Sequence, residues 1–231
     1  MSEPTSTTAP AQVSRAAAQP SDPGPMRAPA DLTTGGTVLP ITRWGAPVMH
    51  APTRPVTEFD DELRTLVRNM FATMAAAEGV GLAATQVGLD LSLFVYDCPD
   101  DDGVRHVGVF CNPEVELPEG RDRRLDASDE GCLSFPGGYQ PLARPDTATC
   151  RGQDVDGTEI EVTGTGYFAR CLQHETDHLN GTVFGDRLTS RARKKLRQQH
   201  ESVAANYPDD WPASPKVVEG AGRRTDPDAD A

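Results

Sequence analysis

The clearest run of alternating hydrophobic and polar positions lies between Phe59 and Met74, where Phe59, Leu63, Leu66, Val67, Met70, Phe71 and Met74 recur at steps of three and four. That spacing predicts an amphipathic helix with its apolar stripe turned to the core. Thr57 with Asp60 offers an N-terminal cap, and Gly79 a stop. Leu91 to Tyr96 and His106 to Cys111 read as paired strands joined across the acidic turn Pro99 to Gly103, which lacks the later Glu of a calcium loop. Thr147 to Gly152 and Thr158 to Thr163 flank Asp156 and Gly157, a hairpin turn signal. A further helix is predicted from about Thr165 to Asn180, ending at Gly181, and a last one after a cap at Thr189 or Ser190. The polar, charged stretch from Glu114 to Asp129 reads as a connection.

The ends read differently. From Met1 to Thr37 the chain is mostly Ala, Pro, Ser and Thr, too poor in large apolar residues to order itself, and structure is expected from Val38. Arg15 and Arg27 with few acids give a faint transit-peptide character, but the low Arg content favours a plain disordered extension. From Pro208 the composition again predicts a disordered tail. The expected organisation is therefore a disordered extension over 1–37, one catalytic domain over 38–207 that includes the final helix, and a disordered tail over 208–231.

Charge and cysteine usage narrow the setting. A formal charge of −13 in 231 residues argues against a surface built to hold DNA. Cys98, Cys111, Cys132, Cys150 and Cys171 are odd in number and contain no Cys-x-x-Cys pair, so neither a disulfide scaffold nor a zinc ribbon is indicated and a reducing cytoplasm is expected. No stretch approaches 18 apolar residues, so no membrane partner is expected.

Candidate chemistry centres on Gln173 to His178, Gln-His-Glu-Thr-Asp-His. On a helix, residues four apart are about 40° apart around the axis, so His174 and His178 can bind one ion together. Glu175 lies one step round, placed for a general base on a water rather than for a ligand. The third ligand must come from elsewhere. Gly181 is followed by Phe184 where one metallohydrolase type has His, and Glu201 sits in the basic final helix; Cys132 is the better candidate, because thiolate binds ferrous iron or zinc well. The small-residue run Gly79 to Gln86 superficially matches a dinucleotide fingerprint, but it follows a helix instead of preceding one. It suggests backbone that something approaches closely, with Gln86 as its polar group.

Together, Gly-x-Gly-Leu-Ala-Ala-x-Gln at 79–86, Glu-Gly-Cys-Leu-Ser at 130–134 and Gln-His-Glu-x-Asp-His-Leu at 173–179 closely resemble the peptide deformylases over roughly Val38 to Gln199. The resemblance implies an α+β fold, with antiparallel β-sheets around a central metal-binding α-helix plus an N-terminal and a C-terminal helix. It implies hydrolysis of the formyl group from N-formylmethionine on newly made polypeptides. Cys132, His174 and His178 would be the metal ligands, with a fourth position left for water, the mark of a catalytic site. Ferrous iron is implied in the cell, replaceable by Zn2+, Ni2+ or Co2+. Glu175 would be the base, and Gln86 with the Leu133 N–H the oxyanion donors. Val80, Gly81 and Gly131 would pair with the substrate backbone, and Tyr167 and Cys171 would line the methionine pocket. Many members of that family carry Arg three residues after the Pro that closes the cysteine motif; here Pro136 is followed by Gly137, Gly138 and Tyr139, and Arg144 is not equivalent.

Two other functions are consistent with parts of the pattern. A metalloendopeptidase would use the same helix but lacks its usual third ligand. A non-catalytic metal module could dock on ribosomes through Arg191, Arg193, Lys194, Lys195 and Arg197, a basic cluster that reads either as a solvated helix face or as a contact for RNA.

Overall fold

The computed structural model describes residues 27–217. Its centre is a five-stranded antiparallel sheet in the order β1-β2-β3-β8-β9. The strands are β1 (Gly81–Ala83), β2 (Leu93–Pro99), β3 (Arg105–Glu116), β8 (Thr147–Gln153) and β9 (Glu159–Thr165). Between β3 and β8 the chain forms two small pairs, β4 (Leu125–Asp126) with β7 (Arg144–Pro145) and β5 (Asp129–Gly131) with β6 (Tyr139–Pro141).

Period-two alternation splits the sheet between two cores. Leu82, Leu93, Val95, Val109 and Cys111 face α1 (Asp61–Ala76), meeting Leu63, Val67, Met70, Phe71 and Met74. Ala83, Phe94, Tyr96, Phe110, Cys150 and Val162 face α2 (Gly166–Leu179), meeting Phe168, Cys171 and Leu172. Each fully buried Leu or Phe contributes ~1.5–3 kcal/mol, so α2 is held against the sheet by far more than its own propensity. A third cluster, Met49, Phe135, Val183, Phe184, Leu188 and Leu196, packs around Cys132 and ties the site to α3 (Phe184–Arg187) and α4 (Ser190–Val203).

The α+β fold with antiparallel sheets around α2 is as expected, and the helix ends match the sequence signals closely. Asp60 alone caps α1, accepting from Glu62 N and Leu63 N, both at 3.0 Å. At the other end Gly79 N donates to Met74 O and Glu78 N to Ala75 O, with Glu78 itself left-handed at φ 58°. This closing pair satisfies two helix carbonyls. Thr189 caps α4 through Ala192 N.

Both disorder boundaries need correction. The 27–37 segment packs against the domain: Leu32 is fully buried, Ala28 N donates to Val107 O at 2.7 Å, and Thr37 N donates to Asn69 Oδ1 at 2.8 Å. One well-seated leucine plus backbone pairing suffices where composition alone forecast none. Likewise Trp211 is buried, with its carbonyl accepting from Ile41 N at 2.9 Å, so order extends past Pro208 to Val217. The remaining 1–26 and 218–231 of the expected extension and tail lie outside the described residues. The Glu114 to Asp129 connection also holds more structure than expected, since β3 continues to Glu116 and β4 pairs with β7. Among the described residues, no helix is long and apolar enough to cross a membrane.

Candidate metal centre

Three elements converge on one point. α2 brings His174 and His178 to one flank, their ring centroids 4.8 Å apart and their planes at 80°. β5 leads into a turn carrying Cys132, closed by Phe135 N donating to Cys132 O at 2.9 Å and pinned from behind by Trp44 N donating to Ser134 O at 3.0 Å. The ligand atoms of Cys132, His174 and His178 all lie within 4.8 Å of one another. His178 Nε2 is 3.4 Å from Cys132 Sγ and 3.2 Å from His174 Nε2.

The donor set fits a divalent cation. Glu130 Oε1 is 2.7 Å from His174 Nδ1; an ionised carboxylate only accepts, so Nδ1 must donate, and Nε2 is the atom left to face the centre, its lone pair available to a cation once a proton there is displaced. Burial pushes His178 well below its ordinary value, leaving a neutral imidazole. For His174, burial also pulls downward, but hydrogen bonds to Cys132 and Glu130 raise it well above the usual range.

Glu175 follows His174 and is buried, with Oε2 lacking a hydrogen-bond partner. Burial pushes its carboxyl up to about 7, with the His174 charge opposing. Gln86 sits on a short 3-10 turn, Ala84–Val87. Its Oε1 accepts from Ala83 N at 2.9 Å, which fixes the amide orientation, and its Nε2 lies 3.5 Å from Cys132 Sγ and 3.3 Å from Ser134 Oγ.

All the residues singled out around this chemistry meet here except one. Cys132, His174, Glu175, Gln86, Leu133, Val80, Gly81, Gly131, Tyr167 and Cys171 line a single cleft, with His178 fully buried behind it. Gly81 is needed for the approach: a Cβ there would collide with the Glu175 carboxylate and lie 2.9 Å from Cys171 Sγ. Gly131 likewise leaves room for the Tyr139 ring. Glu201 is the exception, lining a separate depression with Arg43 and His200.

Sequence reasoning missed the charged scaffold behind the ligands. Arg144 binds Glu130 with two hydrogen bonds of 2.7 Å and Asp177 at 2.9 Å; Arg170 binds Glu130 at 2.8 Å and Asp126 at 2.9 Å. Glu130, Arg144, Arg170 and Asp177 are all buried. Burial alone would raise the Glu130 carboxyl, but Arg144 and His174 hold it well below the usual range. A signal existed: Arg170, His174 and His178 follow at four-residue steps on a helix that is buried from Phe168 to Leu179. The basic cluster of α4 is also smaller than its sequence suggests. Arg193 is spent on the carbonyls of Gly185 and Asp186; Arg191, Lys194, Lys195 and Arg197 remain exposed, Arg197 with its guanidinium over the Trp44 ring at 4.9 Å.

Comparison with known proteins agrees with this geometry. The family model for polypeptide deformylase matches residues 38–194. Peptide deformylase 1 of Streptomyces avermitilis is 59% identical over 174 residues, which cover 75% of this chain and 80% of that protein. Peptide deformylase of Rhodococcus opacus is 47% identical, covering 70% and 85%. The crystal structure of a peptide deformylase from Legionella pneumophila superposes with a TM-score of 0.65 at 36% identity, covering 74% of this chain and all of that one. That of Synechococcus elongatus, in complex with actinonin, gives 0.64 at 37% identity, covering 73% and 89%. By family match, by identity and by fold, the chain belongs to the polypeptide deformylases.

Proposed function

We propose that the protein is a metal-dependent hydrolase that removes the formyl group from the N-terminal formylmethionine of new polypeptides and releases formate. The observation that carries this is the meeting of Cys132, His174 and His178 within 4.8 Å, beside a buried, unpartnered Glu175 carboxylate oxygen, at the floor of an open cleft.

Cys132 Sγ and the Nε2 atoms of both histidines would hold the cation, which when bound supplies a Lewis acid for the formyl oxygen and an acidified water. Glu175 Oε2 takes the proton of the attacking water and delivers it to the departing amine, a role suited to a carboxyl raised to about 7. Gln86 Nε2 and the Leu133 N–H donate to the oxygen that becomes negative. Both are set in advance, Gln86 by Ala83 and Leu133 by the turn closed between Cys132 and Phe135. Val80, Gly81 and Gly131 offer backbone to the peptide, while Tyr167 and Cys171, which line the same cleft, take the methionine side chain.

Thiolate with two imidazoles suits ferrous iron, the cation proposed for the cell, and accommodates Zn2+, Ni2+ or Co2+. The five unpaired cysteines support a cytoplasmic setting. The exposed Arg191, Lys194, Lys195 and Arg197 support contact with ribosomal RNA, which would weaken as salt rises.

The test is formate release from a formyl-Met-Ala-Ser peptide together with appearance of its free amine. Deformylation predicts both, without internal cleavage. Digestion of casein with no formate released would favour a peptidase instead.

A further inference from the structure

The cleft over the metal centre is closed at one end by residues that follow α4. Tyr207, Trp211 and Lys216 line it together with Cys132 and Glu175, although the family match ends at residue 194. The segment is held firmly: Trp211 is buried, and the Arg43 guanidinium donates to the carbonyls of Tyr207 and Pro208 at 3.2 and 2.9 Å. The Tyr207 ring meets Trp211 edge-on, centroids 5.1 Å apart, with the Lys216 ammonium 5.6 Å from the Tyr207 ring centre. Lys216 Nζ then pairs with Glu78 Oε2 at 3.4 Å. On the opposite side, a side chain at Gly137 would lie 3.8 Å from Tyr207 Cε2. The segment thus spans from the Glu78 wall of the cleft to the Gly137 wall.

Its position fits the later residues of a peptide. Gly81 abuts Glu175, whereas Glu78, in the turn that closes α1, lies three residues back, at most ~10 Å away at ~3.3 Å per residue. A formyl group begins its peptide, so the whole chain runs to one side of the reacting carbonyl. Running from Gly81 towards Glu78, it brings its third or fourth residue to the segment.

We infer that residues 207–216 form a substrate-binding wall that contacts the third and fourth residues of the formyl peptide, with the Tyr207 ring as its apolar contact, making the enzyme discriminate by peptide length. The inference rests on the deformylase reading.

It is tested by formate release from formyl-Met-Ala and from formyl-Met-Ala-Leu-Leu, using the full metal-loaded chain and its Tyr207→Ala and Lys216→Ala variants. The wild type should prefer the tetrapeptide. In Tyr207→Ala the tetrapeptide KM should rise roughly tenfold with kcat held, the scale of one truncated aromatic contact, narrowing the tetrapeptide to dipeptide ratio of kcat/KM. Lys216→Ala, at a more exposed position, should narrow it in the same direction. An unchanged ratio in both variants, or a fall in kcat shared equally by both peptides, would overturn the inference while leaving the deformylase reading intact. No formate from either peptide with the wild type would overturn both.

Discussion

Glu130 Oε1 and His174 Nδ1 are 2.7 Å apart, and the same carboxylate is gripped by Arg144 and Arg170. One buried anion therefore orients a metal ligand and is shared by two guanidinium groups, whose remaining charge is met by Asp177 and Asp126. Glu130→Gln should weaken metal retention about 10- to 100-fold, measured by competition with a chromogenic chelator. Because it leaves buried charge uncompensated, it should also cost ~3–5 kcal/mol of stability. Wild-type metal affinity in the variant would show that the carboxylate plays no part in presenting His174.

Gly81→Ala introduces a methyl group into the Glu175 carboxylate and Cys171 Sγ. Activity should fall at least about a hundredfold, because catalytic geometry tolerates little displacement. Gly45→Ala, with nothing within 4 Å of its Cβ position, is the control and should behave as wild type. Equal activity in the two variants, measured by formate release, would mean that the Gly81 approach is not tight.

Asp126 links the scaffold to acid stability. Hydrogen bonds from Ser128 and then Arg170 hold its carboxyl below the ordinary range. A group lowered in the folded state stabilises the fold above its unfolded value and loses that contribution as pH falls through the folded one. The urea midpoint should therefore decline below about pH 4, and Asp126→Asn should flatten that part of the decline. The change should be small, since the side chain is 40% exposed. Parallel pH curves for the two proteins would refute the assignment.

These predictions draw unequally on what the chain reveals by itself. Periodicity and an Asp60 cap placed α1, and the His174–His178 spacing with the Gly181 stop placed α2, each to within a few residues. The ligand trio was legible for a chemical reason: few residue sets can hold a metal, and His174 and His178 sit at helical spacing. Leu32 and Trp211 were not legible, since a single apolar residue in a Pro- and Gly-rich setting gains burial only from partners distant in sequence. The pairing of Glu130 with Arg144 and Arg170 was hidden likewise, because it joins β5, β7 and α2, which no local pattern connects. Arg193 reads as surface charge, yet it binds the carbonyls of Gly185 and Asp186.

The most direct test separates metal binding from proton transfer. Anaerobically prepared wild type and Glu175→Gln should be compared for metal content by elemental analysis and for formate release from formyl-Met-Ala-Ser. Both proteins should hold about one divalent ion per chain, since Glu175 is not among the converging ligands, while the variant should lose at least about a hundredfold in kcat. Undiminished formate release by Glu175→Gln would contradict the account.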